Sequence, residues 1–162
     1  MEQQDWDLVH AYLQEATPAQ WHIYVARSNY DDNGAALQWL IDNPQIDRAT
    51  ALMIYWNLGA EWYAQFDDSD DLYEAQRERV AMLRLIEERY PDYYANQGIW
   101  FDPKHSDGTR PGDYADITQK RAIPAKMLEA TTGSEYVDTE NPDGYDEGLP
   151  LELVERIYDR DD

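Results

Sequence analysis

Apolar residues recur over the first ninety positions at the spacing of amphipathic helices, and clusters of turn formers separate one run from the next. Trp6, Val9, His10 and Leu13 stand at i, i+3, i+4 and i+7 behind Asp5, which this pattern makes the helix cap. Thr17-Pro18-Ala19-Gln20 opens a second helix. The threonine caps free amides, proline suits the first helical position, and Gln20 reaches back to complete a capping box. Its stripe, Trp21, Tyr24 and Val25, runs out at Ser28-Asn29-Tyr30-Asp31-Asp32-Asn33-Gly34. Leu37, Leu40 and Ile41 predict a third helix ending before Pro44. A fourth has Asp47 as its cap, Ala49, Leu52, Met53 and Trp56 as its buried face, and Gly59 as a left-handed stop. The longest is predicted over 69–90, with Leu72, Val80, Leu83, Ile86 and Tyr90 on one side. Asp70, Asp71 and Glu74 at its start and Arg84 and Arg89 toward its end suit the helix dipole.

Beyond Trp100 the pattern changes. Asp102-Pro103, Asp107-Gly108, Arg110-Pro111-Gly112, Gly133, Asn141-Pro142-Asp143-Gly144 and Gly148 interrupt the chain too often for long helices. Two short helices fit, over 123–130 and 150–158, the second with Leu151, Val154 and Ile157 on one face. The expected fold is all-α, a compact bundle or a short stack of helical hairpins with an irregular C-terminal arm. We expect a single domain over 1–162, made of a helical core (1–98), an irregular acidic arm (99–149) and a C-terminal helix (150–159). Roughly 60 residues with few aliphatics would form only a marginal core of their own.

Charge narrows the function. The chain of 162 residues carries 34 acidic and 13 basic side chains, a net charge of −21 at pH 7. A field of that sign repels phosphate backbones and anionic lipids, so neither direct nucleic-acid binding nor membrane binding is expected. Six Trp and thirteen Tyr argue against a disordered chain. The absence of cysteine excludes disulfides and thiolate chemistry. The residues Met1-Glu2-Gln3-Gln4-Asp5 lack the basic start and apolar run of a leader, which points to the cytoplasm.

Candidate chemistry is sparse, and no cofactor motif stands out. His10 and His22 lie beside aromatic stripes and read as the polar edge of a core. His105 stands between Asp102 and Asp107 in a turn-rich loop, and these three are the candidate ligands for the alternative of a small metal-dependent enzyme or metal-binding protein. Asp67-Asp68-Ser69-Asp70-Asp71 has the oxygen spacing of a calcium loop, but Leu72 occupies the position where the turn needs glycine. Glu135, Asp138, Glu140, Asp143, Asp146 and Glu147 form a second acidic segment without a positive charge, interleaved with Tyr136 and Tyr145. Such a run reads either as a solvated surface or as a docking face for a basic protein, with carboxylates steering the encounter and tyrosines supplying contact area. Asp67, Asp68, Asp70 and Asp71 form the competing face.

Three consecutive stretches carry a resemblance: Asn29-Tyr30-Asp31-Asp32-Asn33-Gly34, Leu37-Gln38-Trp39-Leu40-Ile41-Asp42-Asn43-Pro44, and Ile46-Asp47-Arg48-Ala49-Thr50-Ala51-Leu52-Met53-Ile54-Tyr55-Trp56. Over about residues 20–66 the chain resembles the bacterial domain-of-unknown-function family numbered 4274, in which a cysteine often stands where this sequence has Ile46. The resemblance implies a small α-helical protein found near secreted polymorphic toxins, and hence an immunity protein that blocks a cognate toxin. The expected function is a non-enzymatic inhibitor of a toxin with a basic active-site surface, such as a nuclease or an enzyme using a phosphorylated cofactor.

Overall fold

Helix α4 (Arg48–Asn57) is the axis of the fold: every side chain from Ala49 to Trp56 is buried, so a one-sided stripe becomes a helix covered on all sides. In the computed structural model, which describes residues 1–140 and 142–160, it is surrounded by α2 (Pro18–Arg27), α3 (Gly34–Ile41), α5 (Ala60–Tyr63) and α6 (Glu74–Arg89). Helix α1 (Gln3–Glu15) covers α3 on one side and meets the C-terminal α7 (Leu151–Tyr158). The protein is predominantly helical. Among the described residues its strands are limited to an antiparallel hairpin, β1 (Tyr145–Asp146) and β2 (Leu149–Pro150). Asn141, one of the turn residues read from the sequence, lies outside the described residues.

Local signals act where expected at α2 and α4. Gln20 N–H donates to Thr17 Oγ1 (3.2 Å) while Thr17 N–H donates to Gln20 Oε1 (2.9 Å), closing the capping box. Asp47 caps Ala49, and Gly59, at φ 85°, ends α4 and lets α5 start at once.

Four expectations are corrected. Asp5 is not the cap of α1; it sits in the first turn, and Trp6 N–H already bonds Glu2 C=O. The long helix starts at Glu74, not near Ser69, because side chains close 67–70 into a turn: Asp67 Oδ1 accepts from Ser69 N–H (2.9 Å) and Asp70 Oδ2 accepts from Asp67 N–H (2.9 Å). Over 123–130 only a 3₁₀ turn forms, Ala125–Leu128, and the Met127 carbonyl accepts from the Trp56 indole (2.8 Å) instead of continuing a helix. In α7 the buried residue is Leu153, whereas Leu151 is 48% exposed. The helix packs against α1, where Leu153 borders a groove with Leu8, Ala11 and Tyr12, and that neighbour selects the Leu153 side.

The arm is fastened to the helices at identifiable points. The Glu61 carboxylate, buried on α5, accepts the backbone N–H groups of Gly112 (3.0 Å) and Tyr114 (3.1 Å). The Ala64 carbonyl accepts those of Lys120 and Arg121, Lys126 Nζ donates to Tyr90 C=O (2.7 Å), and Met127 is fully buried. Gly133 lies so close to Gly98 that a Cβ there would stand 2.1 Å from the Gly98 carbonyl oxygen.

Candidate functional site

The arm does not lie flush on the helices: it roofs a cavity of about 200 Å³ above α2 and α4. His22 of α2 and Met53 of α4 form the floor, Phe101 and Ser106 form one wall, and Trp100 and Tyr136 stand at the mouth. The three elements are held by different means. The capping box starts α2, Asp47 starts α4, and reciprocal backbone bonds between Trp100, Glu135 and Gly98 (2.8 Å each) join the two stretches of the arm.

His22 is almost wholly buried, with Nδ1 2.9 Å from Thr50 Oγ1 and the ring edge-on to Phe101 at 6.5 Å. Burial penalises its charged form and lowers its pKa from 6.5 to about 4, so the ring is neutral at pH 7. Trp100 lies 6.2 Å from the His105 ring. Ser106, also buried, accepts from Gly108 N–H (3.1 Å) and shapes the turn that closes over Asn57. There a Cβ on Gly108 would stand 2.2 Å from Asn57 Oδ1, so a larger residue would require the Asn57 side chain to move. Asp107 and Glu140 are the carboxylates of the lining, and among the described lining residues there is neither lysine nor arginine.

The second acidic segment is divided by the fold. Tyr136 and Glu140 line the cavity; Tyr136 is 68% exposed, and Glu135 and Asp138 are exposed beside it. Asp143, Asp146 and Glu147 border a separate shallow groove that also includes Arg27 and Glu140. Tyr145 turns inward, where its hydroxyl accepts from Gln20 Nε2 (3.2 Å), so it is a strut against α2 and not a free anchor.

The first cluster is drawn into ion pairs. Lys120 Nζ lies 2.8 Å from Asp70 Oδ2, and Arg84 lies 2.6 Å from Asp68 Oδ1. The Ser69 hydroxyl holds the Asp67 carboxyl below the usual carboxylate range, and Lys120 does the same to Asp70. Asp71 is exposed. None of these four residues lines the cavity.

His105 and Asp107 reach the cavity, whereas Asp102 faces the loop itself: its Oδ1 caps Lys104 N–H (3.0 Å) and its Oδ2 lies 3.9 Å from His105 Nε2. Among the described residues no three His, Asp or Glu side chains converge to hold a metal ion. His10 fulfils the core-edge expectation, stacked on Trp6 at 4.9 Å and edge-on to Trp39 at 5.7 Å. His22 carries the same sequence signature, and its place on a cavity floor depends on an arm some eighty residues further along the chain.

No curated protein and no solved structure matches this chain. A family model described as a domain of unknown function, DUF4274, matches residues 16–91, the span that contains α2 to α6. It includes His22 and Met53 on the cavity floor and stops short of Trp100, Ser106 and Tyr136 on its walls and mouth. Over residues 16–91, then, the chain is similar to the DUF4274 family.

Proposed function

We propose that this protein is a non-enzymatic inhibitor, an immunity protein that neutralises a cognate toxin by docking on its basic active-site surface. One observation carries the reading: Tyr136 projects from the arm at 68% exposure between Glu135, Asp138 and Glu140, in a stretch that has no basic residue. Exposed tyrosine supplies contact area at low entropic cost, and carboxylates around it orient a basic partner before contact. The net charge of −21 extends the same effect to long range, where it accelerates association by orders of magnitude at low salt. The 67–71 cluster contributes less, because Arg84 and Lys120 already neutralise two of its carboxylates.

The test is to express the reading frame adjacent to this gene with and without the protein. Toxicity that this chain relieves, together with a purified complex whose association slows as salt rises, is the expected result. Neutralising Glu135, Glu140 and Asp143 to their amides should slow association at least tenfold and leave folding unchanged. A harmless neighbour, or a complex indifferent to salt and to these changes, overturns the reading.

A further inference from the structure

We propose that the cavity beneath the arm binds a small organic cation that also carries a hydrogen-bond acceptor, as in an ω-amino amide. Its ammonium would lie at the mouth with Asp107, Glu140 and the Trp100 ring, and its acceptor would meet His22 Nε2. This site does not depend on the toxin reading, because the free chain contains all of it.

The polarity of the floor follows from Thr50. Its side chain is fully buried, and His22 Nδ1 is its hydrogen-bond partner among the described residues. A buried hydroxyl proton without an acceptor is costly, so Thr50 donates and Nδ1 accepts. The single proton of the neutral imidazole then sits on Nε2. That N–H has no partner among the described residues, although the ring lines the cavity. The floor therefore offers an uncharged donor and calls for an acceptor.

The mouth has the opposite character. Asp107 and Glu140 contribute negative charge with no lysine or arginine in the lining, and Trp100 and Tyr136 are 37% and 68% exposed. Carboxylates beside open aromatic faces favour a cation and repel an anion. A volume of about 200 Å³ falls below the roughly 300–1,000 Å³ of sites for drug-sized ligands, which restricts the guest to a few heavy atoms. An anion fails at the mouth, and an apolar molecule leaves the His22 N–H unpaired.

The probe is 4-aminobutanamide, compared with pentanamide, which lacks the charge, and pentylamine, which lacks the acceptor. Titrations of the full chain are followed by NMR at the His22 ring and the Trp100 indole. Saturable shifts at both residues with a millimolar Kd are expected for 4-aminobutanamide, with both analogues at least tenfold weaker. Glu140→Gln should weaken binding at least threefold; its side chain is exposed, so this variant keeps the test independent of folding. The proposal is overturned by an absence of saturable shifts, by an analogue that binds as well as 4-aminobutanamide, or by unchanged affinity in Glu140→Gln. Each of these outcomes leaves the toxin reading standing on its own experiment.

Discussion

Asp47 and Gln97 lie fifty residues apart and are joined by a 2.7 Å hydrogen bond from the Gln97 backbone N–H to Asp47 Oδ2, while Asp47 Oδ1 accepts from Ala49 N–H at 2.8 Å. One buried carboxylate thus starts the central helix and pins the strand-like segment leading into the arm. The bonds Ala95 N–H to Ile46 C=O (3.0 Å) and Arg48 N–H to Ala95 C=O (2.9 Å) flank it. The capping half of this arrangement is legible from Asp47 and the stripe that follows it. The Gln97 half involves a backbone group, which has no residue-type signal.

Asp47→Ala should destabilise the protein by about 2–4 kcal/mol, since it removes a helix cap and leaves the Gln97 amide without its acceptor. Asp47→Ser should fall between, because it keeps an oxygen for Ala49 alone. Urea unfolding checks the order; equal stability of all three proteins would contradict the double role.

Glu61→Gln places an amide NH₂ among backbone N–H groups that donate to the present carboxylate. A loss of about 1–3 kcal/mol is expected, concentrated in residues 110–116. Hydrogen exchange should speed up at Gly112 and Tyr114 while α4 keeps its protection. Uniform loss of protection across the chain would show that Glu61 does not fasten the arm locally.

Gly133→Ala tests the opposite end of the arm. The added Cβ would meet Gly98 backbone at 2.1 Å, and a backbone atom cannot rotate away as a side-chain end can. A cost of about 1–3 kcal/mol is expected from this overpacking. Thermal unfolding of the variant at the wild-type temperature would disprove the close approach.

His22 gives the stability a defined dependence on pH. Burial lowers its pKa from 6.5 to about 4, so between these values the unfolded chain binds a proton that the folded chain refuses. Stability therefore rises with pH through this window, and acidification across it should cost roughly 3 kcal/mol. The depressed carboxyls of Asp42, Asp67 and Asp70 act lower, below their usual 3.8. Subtracting the pH profile of His22→Gln from that of the wild type isolates the effect. A flat difference between pH 6.5 and 4 would refute it.

What the sequence determined by itself is what a few adjacent residues can decide. Thr17 and Gln20 complete their capping box within one turn, Asp47 caps two residues on, and Gly59 reaches its left-handed conformation without help from the rest of the chain. The all-α fold class and the irregular stretch after Trp100 follow from the same short-range rules of periodicity and turn chemistry. The tertiary structure decided which of several locally acceptable faces is used: Leu153 over Leu151 because α1 lies there, and a polar strut for Tyr145 because Gln20 of α2 meets it. It also decided the site. His10 and His22 are alike as positions on amphipathic stripes, yet one ring stacks on Trp6 and the other floors a cavity. Their difference comes from residues 100–108 and 135–140, which reciprocal backbone bonds among Gly98, Trp100 and Glu135 join into one roof over the cavity. Such contacts join groups that every residue possesses, so no pattern of side chains along the chain announces them.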